Sequence, residues 1–133
     1  MYAVVRLRGN VNISAKIKDS LKMLNLDNKF TCTLLPESPD YEGMLEKVRD
    51  FVTWGKVKEG TALKILERNG VDEPEEIING LEEGKSLSEI GLDKDLSLSP
   101  PSGGFKGSFK EQYPKGEAGY REDEINSLIE RMV

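Results

Sequence analysis

Hydrophobic and polar positions alternate in three short stretches of the first 58 residues, and two amphipathic stretches separate them. From Tyr2 to Arg8, the side chains of Ala3, Val5 and Leu7 point one way and those of Tyr2, Val4, Arg6 and Arg8 the other, the period of a strand. Phe30 to Leu35 alternates in the same manner, with Phe30, Cys32 and Leu34 opposite Thr31 and Thr33. Thr53 to Lys58 forms a short third stretch, with Trp54, Lys56 and Lys58 on one face. Between them, Ser14 is a suitable N-cap for a helix whose face is Ile17, Leu21 and Leu24. Asp40 can cap a second helix, with Met44, Leu45, Val48, Phe51 and Val52 as its apolar stripe.

The order is therefore βαβαβ. Parallel strands covered on both faces read as unbroken apolar runs, and these do not. The pattern predicts an α+β fold: an antiparallel or mixed sheet, helices on one face, and a polar or basic opposite face. Residues 1–58 read as the core, and 59–133 as an extension. Within the extension, 60–95 predicts short acidic helices that pack on the core. Thr61 caps one of them, Pro74 opens another and Ser86 caps a last turn. Residues 100–121 are rich in glycine and proline, so neither helix nor strand is expected over their length. Residues 122–132 read as a C-terminal helix with Glu122, Asp123 and Glu124 at its positive end.

The net charge of −5 argues against a polyanionic partner until it is resolved along the chain. Residues 1–58 carry +3, residues 59–99 carry −7 and residues 100–133 carry −1. Binding to nucleic acid depends on local charge, so the two ends can be basic footprints while the middle is not. With no His and only one Cys, the chain has no His-ligated metal, cysteine cluster or His-dependent catalytic triad. No metal, cofactor or catalytic residue is expected. Glu75/Glu76 and Glu82/Glu83 read as solvated helix surface. Cys32 reads as a core thiol. No apolar run approaches a membrane span, and Arg6 and Arg8 interrupt the place where a signal peptide needs its apolar stretch.

Three features point to RNA. The open sheet face would present Tyr2, Trp54, Thr31 and Thr33 with Arg6, Arg8, Lys56 and Lys58. Rings can stack on bases and cations can meet phosphates there. The alternative is that the helices after residue 60 cover Tyr2 and Trp54. The turn after Gly9 runs into a helix N-terminus and carries Asn10 and Asn12, suited to a phosphate or to ordinary turn bonding. In the late segment, Gly103 and Gly104 permit close backbone approach. Lys106, Lys110, Lys115 and Arg121 interleave there with Phe105, Phe109 and Tyr113. Such a segment can order on binding, or be a linker.

Several spaced motifs carry a resemblance. Val5-Arg6-Leu7-Arg8-Gly9-Asn10-Val11-Asn12, Leu21-Lys22-Met23-Leu24-Asn25-Leu26, Cys32-Thr33-Leu34-Leu35-Pro36-Glu37 and Gly43-Met44-Leu45-Glu46-Lys47-Val48 resemble the large-subunit ribosomal protein family L-thirty, called L-seven in eukaryotes. Pro100-Pro101-Ser102-Gly103-Gly104-Phe105-Lys106-Gly107 and Gly119-Tyr120-Arg121 resemble its archaeal branch. The resemblance implies a three-stranded antiparallel sheet with two helices on one face, ferredoxin-like in outline, and an archaeal-type extension. It implies a cytoplasmic, non-catalytic constituent of the large ribosomal subunit that binds 23S-type rRNA beside neighbouring ribosomal proteins, with proximity to 5S rRNA. Two positions depart from the family pattern: Glu42 and Ser102 stand where basic residues are usual, and Ser99 where His is usual. Neither a membrane nor a small-molecule substrate is expected. The competing reading is a ferredoxin-like regulatory module that binds a small molecule, which leaves the basic tail unexplained.

Overall fold

A computed structural model of the chain describes residues 1–9, 13–92, 96–105, 107–108 and 111–133, without the side chain of Ser88. Three strands form the centre: β1 (Tyr2–Arg6), β2 (Thr31–Leu35) and β3 (Val52–Lys56). β1 lies in the middle and is antiparallel to both neighbours, with Val4 opposite Thr33 and Trp54, and Val5 opposite Cys32 and Thr53. The expected antiparallel centre is therefore present, but the sheet is not three-stranded. β4 (Leu96–Ser97) adds to β2 antiparallel, and β5 (Gly119–Tyr120) adds to β3 parallel, giving the order β4-β2-β1-β3-β5. Both added strands come from the late part of the chain and are two residues long, too short to leave a periodic signature.

Two helices cover one face. α1 (Ala15–Met23) begins where Ser14 Oγ accepts the Ile17 N–H at 3.3 Å. α2 (Pro39–Val48) is capped by Ser38, whose Oγ accepts the Tyr41 N–H at 3.4 Å. The expected cap, Asp40, lies instead in the first turn, because Pro39 takes the first helical position, where a missing N–H costs nothing. Leu21, Leu24, Leu26, Leu45, Val48 and Phe51 pack on Tyr2, Val4, Leu35, Val52 and Trp54. Each fully buried aliphatic side chain of this kind stabilises the fold by roughly 1.5–3 kcal/mol.

This is the face expected to be open, and the opposite face is covered as well. α3 (Glu59–Arg68), α4 (Pro74–Glu82) and α6 (Glu124–Met132) bring Ala62, Ile65, Leu66, Ile77, Ile78, Leu81, Ile125, Leu128, Ile129 and Met132 against Ala3, Val5, Leu7, Cys32 and Leu34. The single turn α5 (Leu87–Ile90) follows α4, with Ser86 Oγ accepting the Glu89 N–H at 3.3 Å. The sheet is thus a middle layer, and residues after 59 share a hydrophobic cluster with the first strands. Gly55 makes the closest approach possible: a Cβ there would run into the Glu122 carbonyl as the chain turns into α6. Among the described residues, no helix is long and apolar enough to cross a membrane.

Candidate nucleic-acid interface

Covering both faces buries most of the polar positions that alternate along the strands, and their side chains bond inward. Arg6 is 1% exposed. Its Nη1 donates to the Leu26 carbonyl at 2.8 Å and the Asp27 carbonyl at 2.7 Å, and its Nε to the Arg8 carbonyl at 2.8 Å. Burial lowers the pKa of this guanidinium, and nearby Asp27 opposes the shift. Arg6 therefore ties the end of β1 to the loop before β2.

Arg121 behaves in the same way. It is buried, with Nε donating to Thr53 Oγ1 at 2.6 Å and Nη2 to Glu117 Oε2 at 2.8 Å and the Glu117 carbonyl at 2.6 Å. Its guanidinium also lies 5.1 Å from the Tyr113 ring centre. Thr53 Oγ1 donates in turn to the Gly119 carbonyl at 2.9 Å, so β3, β5 and the loop before β5 form one polar knot. The second carboxylate oxygen of Glu117 accepts the Gly107 N–H at 3.0 Å, closing the loop on itself.

The expected stacking platform does not form. Tyr2 and Trp54 lie under α2 and Tyr120, and Thr31 and Thr33 are buried. The cover for the rings comes from α2 and Tyr120 rather than from the helices after residue 60. Cys32 is buried as expected, and burial pushes its thiol up to about 12.

The other expected cations among the described residues, Arg8, Lys56, Lys58 and Lys115, divide between the two ends of the sheet. Lys56 pairs with Glu37 at 3.6 Å, and exposed Lys58 stands at the N-cap position of α3 without a side-chain cap bond, beside the start of β1; Thr61, the expected cap, lies inside that helix. Arg8 lies past the other end of β1, about 20 Å away at the rise of a strand, with its guanidinium 4.8 Å from the Phe51 ring centre. The late segment returns to the Arg8 end. Phe105 stacks on Phe30 at 6.1 Å, and Gln112 Nε2 donates to Asp50 Oδ1 at 3.1 Å, beside Phe51. Because β5 runs parallel to β3, the loop that precedes it must lie where β3 begins. The turn after β1 and the Gly/Pro-rich loop are thereby brought to one end of the molecule.

Exposed Lys115 lies on that loop, and it borders a cleft of about 530 Å³ between the loop and α6, with Arg121 and Arg131 also lining it. Gly103 and Gly104 are exposed with φ of +82° and +73°, a backbone that favours glycine. Arg131 was not among the expected contacts. Its Nη1 donates to the Gly104 carbonyl at 3.1 Å and so fixes that turn, and its place in the last turn of an acidic helix gave only a generic capping signal. Asn10, Asn12, Lys106 and Lys110, four of the expected RNA contacts, lie outside the described residues.

The sequence model of the family described as Ribosomal protein L30p/L7e matches residues 2–52, which hold β1, α1, β2 and α2. Large ribosomal subunit protein uL30 of Archaeoglobus fulgidus is 36% identical over 152 aligned positions, covering 99% of each chain. The uL30 proteins of Methanosphaera stadtmanae and Nanoarchaeum equitans are 34% and 33% identical, with 100% of this chain covered in both cases. Similarity of this strength over the whole length includes the helices and the loop beyond residue 59, and the chain belongs to the L30p/L7e family of large ribosomal subunit proteins.

Proposed function

We propose that this protein is a structural constituent of the large ribosomal subunit in the cytoplasm, binding and stabilising large-subunit rRNA without catalysis of its own. The observation that carries the reading is the end-to-end similarity to archaeal uL30 proteins. The fold supplies physical support, because the turn after β1 and the loop before β5 meet at one end of the sheet.

On this reading Arg8 and Lys115 neutralise phosphates, joined by Lys106 and Lys110, while Asn10, Asn12, Gly103 and Gly104 fit the backbone to the RNA surface. Lys56 and Lys58 make a second, weaker footprint at the other end, where Glu37 competes for Lys56. Arg6 and Arg121 hold the framework and do not reach phosphate. Residues 1–58 supply Arg8, Lys56 and Lys58, and 59–133 the second layer and the loop with Lys115. The RNA is of the 23S type, with 5S rRNA and neighbouring ribosomal proteins close by. No observation favours a small-molecule regulatory module.

The test is the salt dependence of binding between the full chain and a large-subunit rRNA fragment. About five phosphate contacts give a slope near −4 in log K against log salt, roughly 200-fold weaker binding at about 200 mM than at about 50 mM. A flat response over that range would overturn the reading.

A further inference from the structure

The RNA-binding reading leaves unused a cavity at the opposite end of the sheet from Arg8. Its volume is about 420 Å³, within the range of sites that enclose a small ligand or a side chain. Tyr2 and Trp54 form its floor, and Tyr120, 39% exposed, forms a wall. The Tyr120 ring meets Tyr2 edge-on at 6.4 Å and Trp54 at a tilt at 5.9 Å. The opposite wall is α2, which contributes Glu42, Gly43 and Glu46. The exposed Tyr120 ring and two carboxylates around one opening, over a floor of two largely buried rings at 6% and 5% exposure, are the elements of a cation site: the aromatic surface attracts positive charge, and the carboxylates reinforce it.

We propose that this site receives a lysine or arginine side chain from a basic segment of a neighbouring protein. Charge complementarity selects that occupant. Glu42 Oε1 accepts from the Tyr2 hydroxyl at 2.7 Å, and Glu42 has no basic partner among the described residues. Among the described residues, Glu46 is bridged only by Arg49, the residue that ends its helix, at 3.5 Å, an exposed pair of small worth. A nucleotide stacking on the same rings would bring its phosphate against both carboxylates, so RNA is the poorer occupant. Gly43 borders open space at the mouth, since a Cβ there would meet nothing within 4 Å, so a larger side chain can be placed there without a clash at its Cβ.

Trp54 is the only tryptophan, so its emission reports on the site directly. The full chain is titrated with a blocked hexa-arginine peptide and, separately, with a uridine hexanucleotide. The expected result is a saturable change of Trp54 emission with the peptide and none with the RNA. Glu42→Gln and Tyr120→Leu should each weaken peptide binding roughly tenfold. Gly43→Leu should abolish it by filling the mouth while favouring the helix, so that loss of binding in a chain with unchanged circular dichroism cannot be ascribed to unfolding. The proposal is overturned by an absent peptide response, by equal affinity in the three variants, or by an emission change that the hexanucleotide produces and the same variants lose. Neither probe contains ribosomal RNA, so this outcome is independent of the rRNA salt test.

Discussion

Arg121 and Glu117 form a buried ion pair at 2.8 Å, one helical turn apart in sequence and enclosed between β3 and the loop that precedes β5. Both residues belong to the segment whose cations were expected to meet RNA, yet this guanidinium is fully engaged within the protein. Removing one member of such a pair leaves a charge buried without compensation, at a cost of roughly 3–5 kcal/mol. Arg121→Met should therefore lower the urea midpoint strongly while leaving the salt slope of RNA binding by the folded fraction unchanged. An unaltered midpoint with a shallower slope would make Arg121 a phosphate contact instead.

Arg6 and Arg8 separate in the same manner although they are two residues apart. Arg6→Met strands the Leu26, Asp27 and Arg8 carbonyls that its guanidinium serves, and each buried acceptor left unsatisfied costs roughly 1–3 kcal/mol. Arg8→Ala gives up a contact with Phe51 worth roughly 0.5–1 kcal/mol. Its larger effect should be on RNA, reducing the salt slope by about 1. Chemical denaturation and filter binding of the two variants side by side distinguish the roles; reversed phenotypes would contradict them.

How much could be read from the chain follows from these same residues. The helix starts at Ser14, Pro74 and Ser86 were legible because a capping Ser or a Pro in the first turn is a local signal, whereas Thr61, expected as a cap, lies inside α3. The antiparallel centre was legible because the strands alternate. The covering of the second face was not, since Arg6, Thr31, Thr33 and Thr53 look like solvent-facing residues on a strand pattern. The side chains of Arg6, Thr31 and Thr53 bond instead to the carbonyls of Leu26, Asn28 and Gly119, which lie up to 66 residues away. Periodicity registers polarity, and only tertiary structure shows where a polar group finds its partner. The convergence of the turn after β1 and the late loop depends on β5 pairing parallel to β3, a two-residue contact with no sequence signature. The basic residues placed in the two chain ends pointed to RNA as a class, but they could not separate the half-buried Arg8 and exposed Lys115 from the engaged Arg6 and Arg121.

Cys32 gives a pH dependence with a defined sign. Burial raises its thiol to about 12 in the folded chain, against about 8.5 for a free cysteine. A raised folded value means that the contribution to stability is full below about pH 8.5 and is lost as pH climbs toward 12. Stability measured by urea should therefore fall between pH 9 and 11 more steeply in the native chain than in Cys32→Ala, whatever the offset left by the smaller side chain. Alkylation of Cys32 at pH 8 should likewise require unfolding. Equal slopes, or rapid labelling of the folded chain, would contradict this burial.

The most direct test of the ribosomal assignment is sedimentation of the native protein from extracts of cells that make it. At low salt it should travel with large ribosomal subunits, and high salt should shift it toward the top of the gradient, as expected of contacts dominated by phosphate neutralisation. Recovery of the protein at the top of the gradient at low salt, with intact large subunits sedimenting below it, would contradict the proposed function.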